Sequence, residues 1–493
     1  MKRPMLICGS GAMLFSIAFG LFSSHIALIA SLSFIIVAGF AVFLRERKRV
    51  AYFLPLFVVL FLVSVLCFRE YRFIEDASSF CGNKTVYGTV CEKYKTGDVV
   101  KYIVDVEAID SIEVDFKINL ISADGFQFSP GDTVKMKVEF SGDCAPTKAQ
   151  LANGIRLVGK ISEVYEVGCS EYSLYRMRDR IKDFISEKLN FREAGTIIGI
   201  MLGDGSAVSD SVRESFSSVG ISHVLVVSGM HFSVLAGGIY IFLCRLKLKS
   251  RRVGIIGFLC VVFLMALTGF TVSVTRAGLA YLIIFSGFLI NRRPDPVNSL
   301  FMAITIIIME NPLAIFSISF QLSSAATFGV IVMAPMLSTK RENRTQKRFF
   351  GSFYNHLTDT LLMSVSAGIM TMPIVVYNFG TISPIMLVSN LVIAPLSGVV
   401  LCLAAIAGLM MFMPPISIML LLFAGIFTRI MIVAAEYLSG LPYANFAFFD
   451  RTIAVLIMTV MALGFVVLCY YRYDKIKKIK KEEQKKYADC NRK

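Results

Sequence analysis

The stretch Gly220-Ile-Ser-His-Val-Leu-Val-Val-Ser-Gly-Met-His231 decides how this chain is read. It sets two of the four histidines, His223 and His231, together with Ser222, Ser228 and Gly229, into an otherwise apolar run. The run continues from Phe232 to Leu243 and stops at the basic segment Arg245-Leu-Lys-Leu-Lys-Ser-Arg-Arg252. This is the pattern of a membrane span that opens on polar groups. Such groups cost free energy in hydrocarbon, so they mark a functional site by default.

The rest of the chain agrees with a membrane reading. Its 493 residues are 56% apolar, with a mean hydropathy of +0.68, which excludes an ordinary soluble domain. Runs long enough for a ~30 Å hydrocarbon core are predicted at 5–22, 26–44, 51–68, 221–243, 253–269, 274–290, 297–310, 313–336, 357–378, 384–412, 415–440 and 452–471. Gly and Pro interrupt several of them and 297–310 is short, so some are expected to be re-entrant or broken. The expected fold is a polytopic α-helical membrane protein of about ten to twelve spans, with an inserted extracytoplasmic OB-like small β-barrel. Its divisions are N-terminal transmembrane helices at 1–70, the barrel at 71–170, an amphipathic surface helix at 171–195, a polytopic domain at 196–471 and a basic tail at 472–493.

Basic loops set the orientation. Met1-Lys-Arg3, Arg45 to Arg49, Arg245 to Arg252, Arg292-Arg293, Lys340 to Arg348 and the tail from Arg472 all fall on one side of these spans. That side is the cytoplasm, which places both termini inside and the barrel outside. The net charge of +15 then reflects topology rather than nucleic-acid binding. Lys2-Arg3 before an apolar run also suits a signal peptide, but no small-x-small cleavage site is clear and a second span follows at once.

Between Arg69 and about Arg192 the pattern changes to period-two alternation. Thr85 to Glu92, Val99 to Ala108, Val114 to Leu120, Val134 to Phe140 and Gly159 to Val164 read as five short strands, parted by Gly, Asp and Pro turns. Five strands over such a length suit a small closed barrel, and closure removes exposed edges. Barrels of this kind bind single-stranded nucleic acid or serve as plain structural modules. Cys81, Cys91, Cys144 and Cys169 lie in this insertion; an even number outside the membrane permits disulfides, in three connectivities that sequence leaves open. No Cys-x-x-Cys occurs, so no zinc site is expected. From Tyr172 to Phe191, Leu174, Met177, Ile181, Ile185 and Leu189 recur at helical spacing among Arg176, Arg178, Arg180, Lys182 and Lys188. This basic amphipathic helix suits a membrane surface.

His223 and His231 stand eight residues apart, on roughly one face of a continuous helix, with Ser228 one turn from His231. Three readings stay open: hydrogen bonds that tie helices together, the lining of a polar path, or a Ser-His catalytic pair, which here has no orienting carboxylate in sequence reach. A metal site is not expected, because no third ligand accompanies the histidines. Arg276, near an outer helix end, has snorkelling as its plain reading. Gln321, Asn378 and Asn390 each need a partner or water within the core, and their spread over several helices suggests a shared hydrated path. Gly154-Ile-Arg-Leu-Val-Gly-Lys-Ile161 nearly spells a phosphate loop, but Ile161 stands where Ser or Thr is required and the context is a barrel.

These polar segments resemble the signature of the ComEC family of competence proteins. The resemblance rests on Gly203-Asp204, Ser222-His223 through Ser228-Gly229-Met-His231, Leu267-Thr-Gly269, Ser273-Val-Thr-Arg276-Ala277, Arg293-Pro-Asp295-Pro, Asn311-Pro312, Ser319-Phe-Gln321-Leu-Ser323 and Asn390 to Pro395. It implies a channel that passes single-stranded DNA through the cytoplasmic membrane during natural transformation, with His223, Ser228, His231, Arg276, Gln321, Asn378 and Asn390 along the DNA path and Asp204, Ser222 and Gly229 as motif residues. Expected partners are single-stranded DNA, membrane lipid, a cytoplasmic ATPase or helicase, DNA-binding competence proteins, a separate nuclease and a second copy of the chain; no cofactor is expected. Many relatives carry a metallo-β-lactamase-like domain; here the chain ends soon after the last span and holds no His-x-His-x-Asp-His run. A channel rather than an enzyme is therefore expected. The alternatives are an intramembrane Ser/His enzyme and a non-DNA transporter or repurposed paralogue.

Overall fold

The alternation between Gly82 and Cys169 becomes five strands: β1 (Gly82–Thr96), β2 (Val99–Ile109), β3 (Ile112–Ser122), β4 (Asp132–Phe140) and β5 (Ile155–Cys169). They close into a barrel in the order β1-β2-β3-β5-β4. Neighbours are antiparallel except β3 and β5, which run parallel. The expected segments lie inside these strands, which extend a few residues further at most ends. Inward positions on every strand supply the core, including Val86, Val90, Tyr102, Val104, Ile118, Leu120, Met136, Val138, Phe140 and Leu157. The Tyr102 hydroxyl is buried but satisfied, donating to Phe126 O at 2.6 Å. On the outer wall, Asp105, Glu107, Glu113 and Asp115 line a groove of 490 Å³, a lining that repels phosphate.

The computed structural model describes residues 4–22, 58–70, 80–96, 99–110, 112–122, 126, 128–140, 146–169, 174–225, 227–269, 272–290, 295–337, 349–441, 446–447 and parts of 452–467. The expected span 26–44, the Lys340 to Arg348 loop and the tail 472–493 lie outside them, as do the side chains of Cys144 and Cys169, and with them any disulfide pairing of Cys81 or Cys91 to either. The helices are α1 (Pro4–Phe22), α2 (58–70), α3 (Lys148–Ala152), α4 (Leu174–Lys188), α5 (Phe191–Leu202), α6 (Asp210–Ser218), α7 (Gly229–Arg245), α8 (Ser250–Thr268), α9 (Val272–Leu289), α10 (Pro296–Glu310), α11 (Ile318–Phe328), α12 (Ala334–Leu337), α13 (Phe349–Phe379), α14 (Met386–Leu409) and α15 (Pro414–Ser439). Among the described residues, five helical stretches are long and apolar enough to cross a membrane: Ser250–Thr268, Ile318–Leu337, Thr358–Phe379, Met386–Leu409 and Pro414–Ser439.

The chain divides into two compact units. The first comprises 1–213, 223–320 and 396–432; the second comprises 214–222, 321–395 and 433–493. In the first, α7, α8 and α9 share an apolar core of Phe232, Ala236, Val261, Met265, Ala277 and Phe285, and the Tyr281 hydroxyl of α9 donates to Ser233 O of α7 at 3.1 Å. The barrel is held to this unit at one corner, where α3 leads into β5. Arg156 meets Glu70 of α2 at 2.6 and 2.8 Å, with Glu70 only 3% exposed. Burial pushes the Glu70 carboxyl up and Arg156 draws it back. Asn311, at the end of α10, donates to Leu151 O and Ala152 O at 2.8 and 3.2 Å, and Ser317 donates to Asn153 Oδ1 at 3.1 Å.

The second unit is built from interrupted helices. The apolar run 313–336 starts in the first unit with a short 3-10 turn (Pro312–Phe316); the stretch Ile318–Leu337 that follows is long and apolar enough to cross a membrane, but carries a π-helical segment (Gly329–Met333) between α11 and α12. α13 contains Pro373 and α14 contains Pro395; each ring removes one donor from the helical ladder. The two helices are joined through β6 (Thr381–Ile382), which pairs with β7 (Phe446–Ala447).

Candidate functional site

The expected span at 221–243 divides before it becomes a helix. Ser222–Val224 is a single 3-10 turn, and α7 starts only at Gly229. His223 and His231 therefore do not share a helical face, and His223 is exposed on the turn. The cause is local. Ser228 takes an extended backbone (φ −110°, ψ 165°) and caps α7. Its Oγ accepts from the His231 N–H at 3.3 Å, while His231 Nδ1 accepts from the Ser228 N–H at 3.4 Å. This is a capping box with His in the place usually held by Glu or Gln.

With Nδ1 accepting, the hydrogen-bond network assigns the ring proton to Nε2, which lies 3.1 Å from Ser397 Oγ on α14. Ser397 is fully buried and His231 is 1% exposed. Ser228 Oγ is also 3.2 Å from His231 Nδ1. The structure thus brings Ser228 and His231 together and adds Ser397, 166 residues away, which no local sequence signal marks. Chemically the arrangement ties the start of α7 to α14.

A second cluster surrounds Asp204. α5 ends at Gly203 in the left-handed region (φ 80°), a conformation that favours glycine. The following loop is held by three cations. Arg178 of α4 donates to Leu202 O at 2.8 Å, Lys182 meets Asp204 Oδ2 at 2.7 Å, and Arg213 of α6 donates to Gly205 O at 2.7 Å. Asp204 also accepts from the Ser206 N–H at 3.1 Å. Burial alone would raise the Asp204 carboxyl, but Lys182 and the Ser206 bonds outweigh it and hold it below the usual range. Arg178 also reaches the end of α8, where a Cβ on Gly269 would lie 3.0 Å from its Nη1. The segments Gly203-Asp204 and Leu267-Thr-Gly269 therefore meet on α4. Sequence periodicity shows α4 as amphipathic, but not that two of its cations, Arg178 and Lys182, turn inward.

Arg276 on α9 is 7% exposed, so it does not snorkel outward. Gln321, Asn378 and Asn390 lie in the second unit, on α11, α13 and α14. Asn378 donates to Ile374 O of its own helix at 2.8 Å. No group of three His, Cys, Asp or Glu side chains able to hold a metal occurs among the described residues.

The Competence protein family matches residues 200–474, more than half of the chain. The chain belongs to the Competence protein family. The Competence match takes in Asp204, Ser222, His223, Ser228, Gly229, His231, Arg276, Gln321, Asn378 and Asn390, and begins after the barrel. ComE operon protein 3 of Bacillus subtilis (strain 168) is 25% identical over 248 residues, which cover 49% of this chain and 30% of that protein. The match thus spans less than a third of the curated relative. No solved structure matches the chain.

Proposed function

We propose that this chain forms a channel that carries single-stranded DNA across the cytoplasmic membrane during natural transformation. Membership of the Competence family carries the reading, and the five long apolar helices support a multi-pass location. The basic loops favour cytoplasmic termini and an extracytoplasmic barrel. The strand order β1-β2-β3-β5-β4, with β3 parallel to β5, favours an OB-type barrel. Its carboxylate-lined groove favours a structural module over a DNA receptor on that face.

At ~3.4 Å per phosphate, a strand crossing a ~30 Å core places about nine charges there. Even at ~2.5–3.5 kcal/mol per charge in lipid, an unlined route costs tens of kcal/mol, so a hydrated, polar path is required. By the family resemblance, His223 and Arg276 in the first unit and Gln321, Asn378 and Asn390 in the second are proposed as polar lining. Ser228 and His231 are assigned to holding α7 in place, and because Ser228 Oγ serves as the helix cap, the channel reading is preferred to a Ser/His enzyme. No step here supplies direction. A cytoplasmic ATPase or helicase, DNA-binding competence proteins and a separate nuclease complete the system, with lipid around the helices and a second copy of the chain compatible with it.

The test is entry of labelled DNA into a nuclease-protected pool, in a strain lacking the gene and complemented with the wild-type chain or Arg276→Ala. The expected result is surface-bound but unprotected DNA in the deletion strain, restored by the wild-type chain and at least tenfold lower with Arg276→Ala at equal protein level. Undiminished entry in the deletion strain overturns the proposal in favour of a repurposed transporter.

A further inference from the structure

Among the described residues, the second unit contains three hydroxyls that its own fold does not use. The Oγ atoms of Ser324 on α11, Ser366 on α13 and Ser383 just before α14 are shut off from solvent and have no hydrogen-bond partner. Ser366 is fully buried and Ser324 is 8% exposed. Their neighbours behave differently. Thr327, Thr371 and Ser389 donate to carbonyls of their own helices at 2.8, 3.0 and 3.0 Å. That local bond is the ordinary solution for a hydroxyl on a helix, and a buried hydroxyl that lacks one needs another explanation, such as water or an ion.

The backbone beside them is irregular as well. The π-helical segment Gly329–Met333 interrupts the ladder where α13 crosses it. A Cβ on Gly329 would lie 2.5 Å from Ser366 O and 3.2 Å from Ala367 Cα, so the two backbones touch at Ser366. Two residues along α13, a Cβ on Gly368 would lie 3.1 Å from Met386 Cε. Met386 opens α14, three residues after Ser383. On its other side a Cβ on Gly220 would lie 2.9 Å from Ser383 Cβ and 3.1 Å from Met386 Cβ. Gly220 stands two residues before exposed Ser222. The chain of contacts therefore runs from the π segment across α13 to the start of α14, and ends beside an exposed polar turn. At membrane depth, irregular backbone is tolerated only where protein covers it or a water-filled cavity faces it, and π segments concentrate at functional sites.

We propose that this seam takes up water, with Ser324, Ser366 and Ser383 as its polar lining, so that the second unit holds a wet seam within itself. The inference rests on reading the chain as membrane-spanning, but not on the passage of DNA. The test is modification of Ser324→Cys, Ser366→Cys and Ser383→Cys in intact membranes by a charged, membrane-impermeant methanethiosulfonate, read peptide by peptide by mass spectrometry so that the native cysteines do not interfere. Only a thiolate reacts, and both it and the charged reagent need water. Ser299→Cys is the control, because Ser299 Oγ is also partnerless but lies on α10, which no π segment or internal proline interrupts. At least two of the three sites should react tenfold or more faster than Ser299→Cys. Reaction at none of the three, or at the same rate as the control, overturns the seam. Labelling is scored without DNA, so failure of the seam and failure of the channel proposal are separate outcomes.

Discussion

The two units differ in the backbone that surrounds their buried polar groups. In the first, polar side chains act as ties between elements: Arg156 on Glu70, Asn311 on Leu151 and Ala152, Lys182 on Asp204, and His231 on Ser397. Its helices α8, α9 and α10 run without internal proline or π segment. In the second, the helices are interrupted at Gly329–Met333, Pro373 and Pro395, and three hydroxyls have no partner. The division is not one of number, since Ser16, Ser122 and Ser299 of the first unit are also partnerless; it lies in the interrupted helices beside Ser324, Ser366 and Ser383. The difference still teaches that polarity within an apolar chain has two uses. A paired group fixes geometry, whereas an unpaired one beside broken backbone offers a place for solvent.

Removing a tie should therefore cost most where both partners are buried ions. Arg156→Met leaves the Glu70 carboxyl, 3% exposed, facing the exposed Arg69 guanidinium at 3.8 Å in place of the 2.6 Å contact, and is expected to destabilise by about 3 kcal/mol at pH 8, read as the thermal unfolding midpoint in mild detergent. The pH dependence has a definite sign. Burial raises the folded-state Glu70 carboxyl, and loss of Arg156 raises it further. The neutral form is then favoured, so stability returns as the pH falls toward the ordinary carboxyl value of about 4.3 and is lost as it rises. A deficit in Arg156→Met that does not shrink on acidification would show that Glu70 is not the group left stranded. Asn311→Ala comes next, at about 1–3 kcal/mol, because two backbone carbonyls lose their donor. Asn311→Asp, which keeps the acceptor for the Leu313 N–H but removes the donor, should still lose stability; wild-type stability would break the tie.

Much of this architecture was legible in the sequence, but unevenly. Period-two alternation locates all five strands, because inward Val, Ile and Phe must alternate with polar residues on a closed sheet. Helix α4 shows through its spaced Leu, Met and Ile residues. Three features escape. The capping box was visible as Ser228-Gly-Met-His231, a Ser three residues before a side chain able to accept, but the surrounding apolar run made a continuous helix the simpler reading. The π segment leaves no mark on 313–336, since its residues are as apolar as those of a regular span. The partners Ser397, Glu70 and Leu151 are fixed only by the fold, and no local pattern joins them to His231, Arg156 and Asn311.

The cap gives a smaller effect and separates two roles for Ser228. Ser228→Ala removes the acceptor for the His231 N–H and should cost about 0.5–2 kcal/mol. Ser228→Asp, which also caps well, should recover most of the unfolding midpoint and of DNA entry. If Ser228→Asp restores stability yet leaves function lost, the hydroxyl has a chemical task beyond capping and the Ser/His enzyme returns.

Ser366→Ala is the smallest expected effect and the sharpest probe of the contrast. The residue is fully buried, where truncation of a paired hydroxyl normally costs about 1 kcal/mol or more. Its Oγ has no partner within the protein, so the substitution breaks no intramolecular bond and creates no stranded acceptor. A bound water would lose one of several contacts and could leave. The unfolding midpoint should move by no more than the equivalent of about 0.5 kcal/mol, in either direction, whereas Asn311→Ala falls clearly outside that range. A loss above about 1 kcal/mol would mean that Ser366 is a tie of the kind found in the first unit, and the two units would no longer differ in how they use polarity.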